Sequence, residues 1–244
     1  MAKFDISGAA SRFTGLEPRM RNESIRKELE PYTAAPQQPP EQIARIEPMS
    51  EYVKPPTAPA QQPSGELPLP LQTVEWEGRK DKQGNLAVYK LPSGDMGGNF
   101  EVAGINDRYH PEAFKAISSL PAQERAKAAA EYIQGYTAPL VERLPQPLQP
   151  FTQDLAFNRG LGGATKYIQQ GLNALGQKVA VDGGFGPKTL AAINQVEPRA
   201  LMRAASQAQL EDEYRMAERN PARKKFIQGL ESRIRNRLST FGQG

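Results

Sequence analysis

Apolar positions divide the chain into a sparse N-terminal stretch and a periodic remainder that begins near Leu71. Leu71 to Glu77 reads as the start of a helix. Asn85 to Leu91 (NLAVYKL) is rich in strand formers, and Phe100 to Ile105 is a second strand candidate. The segment between them, Pro92-Ser93-Gly94-Asp95-Met96-Gly97-Gly98, is dense in turn residues, so the pair predicts a β-hairpin with a wide loop. From there the spacing is helical. Pro111 opens a helix with Phe114 and Ile117 on one face. Ala122 to Arg143 follows, with Gly135 and Pro139 as candidate break points. Leu148, Phe151 and Leu155 mark one helix, and Ala164, Tyr167, Ile168, Leu172 and Leu175 mark the next. A short helix runs from Pro187 to Asn194, and two long ones cover about 198–218 and 221–239. In the last, Phe226, Ile227, Leu230, Ile234 and Leu238 form a stripe. The fold class this predicts is α+β: a mainly helical domain with one small β-hairpin.

Residues 1–70 are of another kind. Eleven of the twenty-two prolines lie between Pro31 and Pro70, interspersed with Gln and Ala. Proline lacks the amide for helix or ladder, and few apolar side chains are present to offset the entropy of ordering. The expectation is an extended, polyproline-like arm over 1–70, with one short helix at Arg19 to Leu29. The rest is expected to divide into 71–145 and a helical part, 146–244, packed on it.

Composition removes several kinds of chemistry. The chain has no cysteine, which excludes disulfides, thiolate metal sites and a cysteine nucleophile. One histidine, His110, cannot build a multi-histidine zinc site, and no G-x-S-x-G elbow accompanies it for a serine triad. The N-terminus, MAKFDISGAASRF, lacks the apolar core of a signal peptide, and no run of eighteen apolar residues would span a membrane. The net charge of +4 and pI near 9.2 suit an anionic partner, but no nucleic-acid motif is present. The arginine-rich C-terminal stretch, including Arg219, Arg223, Arg233, Arg235 and Arg237, reads as the solvated face of helices.

What remains is carboxylate chemistry. Glu77 follows Trp76, the only tryptophan, and precedes Gly78, which would end the helix and leave the carboxylate at a cleft edge. A partly apolar setting raises the pKa of such a group and suits it to donate a proton near neutral pH. Asp95, in the glycine-rich turn, is the natural second carboxylate, with Glu101 as the alternative. Asp154 and Asn158 lie one helical turn apart and either touch a ligand or bridge helices. Tyr109 is a candidate cleft-lining aromatic.

The string Glu77-Gly78, Asp95-Met96-Gly97-Gly98, Gly104-Ile105 resembles glycoside hydrolase family 108, the phage-type N-acetylmuramidases. Arg79 stands where that family has a second Gly, Phe100 or Glu101 where it has a Thr, and the Glu77 to Asp95 spacing is longer. Phe151 to Gly160 (FTQDLAFNRG) resembles the family's Phe-Asp-x-x-x-Asn-x-Gly helix, with Asp154 and Asn158 at its polar positions. Val181 to Leu190 (VDGGFGPKTL) resembles the D-G-x-x-G-P-x-T-L turn of the peptidoglycan-binding region that follows. In that turn Gly183 and Gly186 permit tight geometry, Asp182 can accept from turn amides, and Pro187 opens a helix.

The resemblance covers roughly Leu71 to Phe241. It implies a lysozyme-like domain that cleaves the MurNAc-GlcNAc β-1,4 bond of bacterial peptidoglycan with Glu77 as catalytic acid, Asp95 or Glu101 assisting, and Asp154, Asn158 and Tyr109 toward substrate. It implies no metal or organic cofactor. The arm adds the expectation of a virion-associated lysin, tethered to tail or internal phage proteins, made in the host cytoplasm and acting at the host wall. The alternatives are a lytic transglycosylase, an inactive structural or wall-binding virion protein, and a free endolysin.

Overall fold

The computed structural model describes residues 70–92 and 98–242. The expected arm, its Arg19 to Leu29 helix and Asp95 lie outside the described residues. The elements are α1 (Leu71–Glu77), β1 (Tyr89–Lys90), β2 (Phe100–Val102), β3 (Ile105–Asn106), α2 (Pro111–Ser118), α3 (Ala122–Val141), α4 (Gln149–Ala174), α5 (Pro187–Ile193), α6 (Pro198–Arg219) and α7 (Ile227–Phe241). Short 3₁₀ turns, Gln146–Leu148 and Pro221–Phe226, lead into α4 and α7. The domain is mainly helical with one small antiparallel sheet, so the α+β class holds.

The sheet has three strands where the sequence predicts two. Tyr89 pairs with Glu101 and Lys90 with Phe100, then Glu101 with Asn106 and Val102 with Ile105. The single expected strand at Phe100 to Ile105 folds back on itself through Ala103-Gly104. Both residues have positive φ, 48° and 75°. Two such residues in succession make the two-residue turn whose twist matches paired strands. Alanine there is unusual, because its Cβ crowds the following carbonyl. The buried position of Ala103 against the first core holds it in place.

Two apolar cores lie side by side. The first gathers Val74, Leu86, Val102, Ile105, Ile117, Ile133 and Phe157. The second gathers Leu144, Phe151, Leu155, Ile168, Leu172, Leu201 and Met202. α4 serves both, because it carries Phe157 into one and Phe151 and Leu155 into the other. Its axis breaks at Gly160 (φ 71°, ψ 164°), where the sequence pattern separates the two helical stripes. α3 runs unbroken through Gly135 and Pro139, contrary to the expected interruption. α6 packs along α4, and α7 packs on α6 and α4. No helix among the described residues is long and apolar enough to cross a membrane.

Candidate functional site

α1 ends at Glu77 because Gly78 leaves the helical conformation (φ −84°, ψ 146°) while its N–H still bonds the Val74 carbonyl at 2.8 Å. A Cβ on Gly78 would lie 2.7 Å from the Val74 carbonyl oxygen, a backbone atom that cannot give way cheaply, so this close approach favours glycine. Glu77 is thereby delivered to a groove of ≈ 380 Å³ whose walls include Trp76, Asn158, Ser232, Arg233 and Asn236. Gly104, at the tip of the β2–β3 turn, closes in beside it. A Cβ there would lie 3.0 Å from the Phe157 ring and 3.7 Å from Glu77 Cβ, besides the strain of φ 75°.

One carboxylate oxygen of Glu77 takes two partners. Asn158 Nδ2 donates to Oε1 at 2.7 Å, and Arg233 Nη2 forms an ion pair with the same atom at 3.0 Å. The Glu77 side chain keeps 24% of its exposure. Burial raises its pKa above the ordinary carboxylate value, and the charges of Asp154 and Glu101 add to that rise. Arg233 and the Asn158 bond work against it without reversing the direction.

Asp154, one turn before Asn158 on α4, lies beneath the groove instead of in it and is fully buried. Thr73 Oγ1 donates to its Oδ1 at 2.9 Å, Arg233 Nη2 at 2.6 Å, and Arg237 Nη1 reaches its Oδ2 at 3.4 Å. This corrects the expectation of a substrate contact: every polar face of Asp154 is committed to tying α1, α4 and α7 together. Arg233 and Arg237 correct a second expectation. They are not on a solvated face. Arg233 is 14% exposed and stacks over Trp76 at 4.7 Å. Arg237 is fully buried over the Phe151 ring, and its Nη2 bonds Gln209 Oε1. Burial pulls the Arg237 pKa down, and Asp154 opposes that. These arginines and Thr73 are the site residues that reading the sequence missed. Their signal was present: Arg233 and Arg237 are four apart and flank Ile234, within the Leu230-Ile234-Leu238 stripe.

Glu101, on β2, lies close enough to Glu77 to raise its pKa. Its Oε1 accepts from the hydroxyl of Tyr89, its cross-strand partner, and Arg79 stacks on the Tyr89 ring at 4.0 Å. Burial and then the Glu101 bond push the Tyr89 hydroxyl pKa up, so it stays a donor. Tyr109 is exposed, under Arg108, and is not among the residues lining the groove. The structure thus brings Glu77, Asn158 and Glu101 into one neighbourhood, with Asp154 below. Among the described residues no three His, Asp or Glu side chains are grouped to hold a metal ion.

The Val181 to Leu190 turn is braced from within. Asp182 Oδ1 accepts from Gly184 N at 2.8 Å and from Gln169 Nε2 at 2.9 Å, and Gln169 Oε1 accepts from Gly183 N. Gly183 has φ 77°, as a tight turn requires, whereas Gly186 is extended and needs no such freedom.

Residues 163–235 match the model of a family described as "Predicted Peptidoglycan domain". Among solved structures, Brucella abortus SagA is similar with a TM-score of 0.50 and 20% sequence identity, over 71% of this chain and 92% of that one. At that identity the similarity bears on the fold alone. No curated protein matches the chain.

Proposed function

We propose that this protein is a peptidoglycan-cleaving muramidase in which Glu77 protonates the glycosidic oxygen of the MurNAc-GlcNAc bond. The observation that carries the reading is the Glu77 carboxyl itself. It is held at the edge of a groove by a helix that ends there, hydrogen-bonded by Asn158, and made a weaker acid by burial. The peptidoglycan family match over 163–235 supports the polymer as partner, because Arg233 on α7, within that region, meets Glu77 in the groove. The resemblance to glycoside hydrolase family 108 in the Glu77, Asn158 and Gly104-Ile105 segments supports the same reaction. The charge of Glu101 acting on Glu77 supports it as an assisting carboxylate, with Asp95 as the other candidate. The proline-rich arm supports a virion-associated enzyme acting at the host wall.

A second reading, a lytic transglycosylase, is favoured by one observation. Glu101, the described candidate for the second carboxylate, has an oxygen taken by the Tyr89 hydroxyl and is not among the described residues lining the groove. Mass spectrometry of products from purified peptidoglycan separates the two: a reducing end for hydrolysis, an anhydro end for transglycosylation. Glu77→Gln keeps the shape and the Asn158 contact but removes the acid. Cleavage is expected to fall on the order of 10²-fold or more with the fold intact. Undiminished cleavage by that variant rules Glu77 out, and no cleavage by the unaltered protein leaves a wall-binding role in its place.

A further inference from the structure

Arg233 is held on three sides. Its Nη2 and Nε meet Asp154 at 2.6 and 3.4 Å, Nη2 also faces Glu77 at 3.0 Å, and the guanidinium plane lies over Trp76. The third nitrogen is different. Among the described residues nothing accepts a hydrogen bond from Nη1, and Nη1 is not one of the buried polar atoms left without a partner. Nη1 is therefore the donor of Arg233 left uncommitted among the described residues. The side chain keeps 14% of its exposure, and Arg233 is the only cation among the described residues that line the groove. Asp154 does not neutralise Arg233 alone, because it shares its charge with Arg237.

A guanidinium fixed on two nitrogens and stacked on a ring presents its third nitrogen with little rotamer entropy left to lose, and that nitrogen can donate a charged hydrogen bond to one acceptor oxygen. Arg233 Nη2 meets Glu77 Oε1, the oxygen that also accepts from Asn158, which leaves Oε2 to carry the proton given to the glycosidic bond. In the muramidase reading, a group met by Nη1 beside this carboxyl belongs to a sugar next to the bond that is cut. In the peptidoglycan glycan that is N-acetylmuramic acid, whose ring carries both the scissile C1 and, at C3, a lactyl ether ending in a carboxyl carbon. A chitin-type chain of N-acetylglucosamine has a hydroxyl there.

We infer that Arg233 is the specificity residue of the groove, its Nη1 edge donating to the lactyl carboxyl oxygen of the muramic acid whose C1 bond is cut. This rests on the muramidase reading above. Where the stem peptide is attached the acceptor is an amide carbonyl, and where it has been removed it is a carboxylate, the stronger acceptor.

The test uses the full chain and three glycans of equal length: peptide-free MurNAc-GlcNAc, the same glycan with its lactyl carboxyls reduced to alcohols, and a GlcNAc oligomer. The unaltered protein is expected to show kcat/KM roughly 10- to 100-fold higher on the first than on the other two, the range of a charged hydrogen bond. Arg233→Met should bring the ratio close to one, and Arg233→Lys should fall between. The reduced glycan needs no variant, so the answer survives a Met variant that fails to fold. Equal rates on all three glycans by the unaltered protein, or an unchanged ratio in a folded Met variant, would overturn the Arg233 assignment and leave the muramidase intact. Failure to cut any glycan or whole peptidoglycan would instead remove the muramidase reading, and this inference with it.

Discussion

Burial and the Arg233 guanidinium act on the Glu77 carboxyl in opposite directions, with burial the larger effect. The sign has a consequence for stability. A carboxyl whose folded pKa lies above its unfolded value holds its proton more tightly when folded, so folding stability falls as pH rises from the unfolded to the folded value. Glu77→Gln cannot ionise and escapes that loss. The melting temperature of the Gln variant minus that of the unaltered protein is therefore expected to grow as pH rises from below about 4.5 toward neutrality. A series of thermal melts across that range checks it, and a difference that shrinks would mean the Arg233 pair outweighs burial. At this scale the sequence was partly legible. Trp76-Glu77-Gly78 marks a carboxylate at a helix end next to an aromatic, which needs only local geometry. Arg233 was only faintly legible: its place beside Ile234 in the apolar stripe hints at burial, but an arginine on an outer helix is solvated far more often than buried. Which carboxylate it meets is set by the fold, which brings Arg233 to Asp154, 79 residues away.

α7 is an element held less by apolar area than by charge. Of its fifteen residues only Ile234 and Arg237 are buried, and the 3₁₀ turn before it buries none. Its attachment therefore depends on Asp154, which receives Arg233 and Arg237 together. Asp154→Asn leaves two guanidinium groups, one wholly buried, without their shared counter-charge. Removing one partner of a buried ion pair costs about 3–5 kcal/mol. The expected outcome is a loss of that order in urea unfolding, with amide exchange accelerating first in 227–241. A loss below about 1 kcal/mol, or uniform exchange, would show that Ile234 and Leu238 suffice to hold the helix. The helices themselves were readable from spacing, since α2 and α5 start at the prolines that the sequence marks and α6 covers about the span expected. The sheet was less so. A two-residue turn at Ala103-Gly104 leaves no polar gap between β2 and β3, and Ala carries no signal of positive φ.

At the scale of the molecule, α4 is the joint. It places Asp154 and Asn158 under and beside Glu77, then crosses Gly160 into the region that matches the peptidoglycan family. The expected division near residue 146 falls in the turn before α4, and the groove takes residues from both sides of it: Trp76 and Glu77 from one, Asn158 and Arg233 from the other. The sequence located both segments by their motifs, but their meeting across the groove is a long-range fact that periodicity does not encode. Both cores are assembled from residues at or beyond Val74 among those described. The groove likewise begins at Trp76. The proposed role of residues 1–68 as a spacer predicts that deleting them leaves the melting temperature and the cleavage of purified peptidoglycan unchanged within error. The proposed role of the arm as a tether predicts a loss elsewhere: particles assembled with the truncated chain should lack it. Mass spectrometry of those particles, read beside the melt and the cleavage assay, separates the cases. Normal copy number with normal activity would refute the tether and favour a free endolysin. A lower melting temperature would instead show that the arm contributes to the folded domain and is more than a spacer.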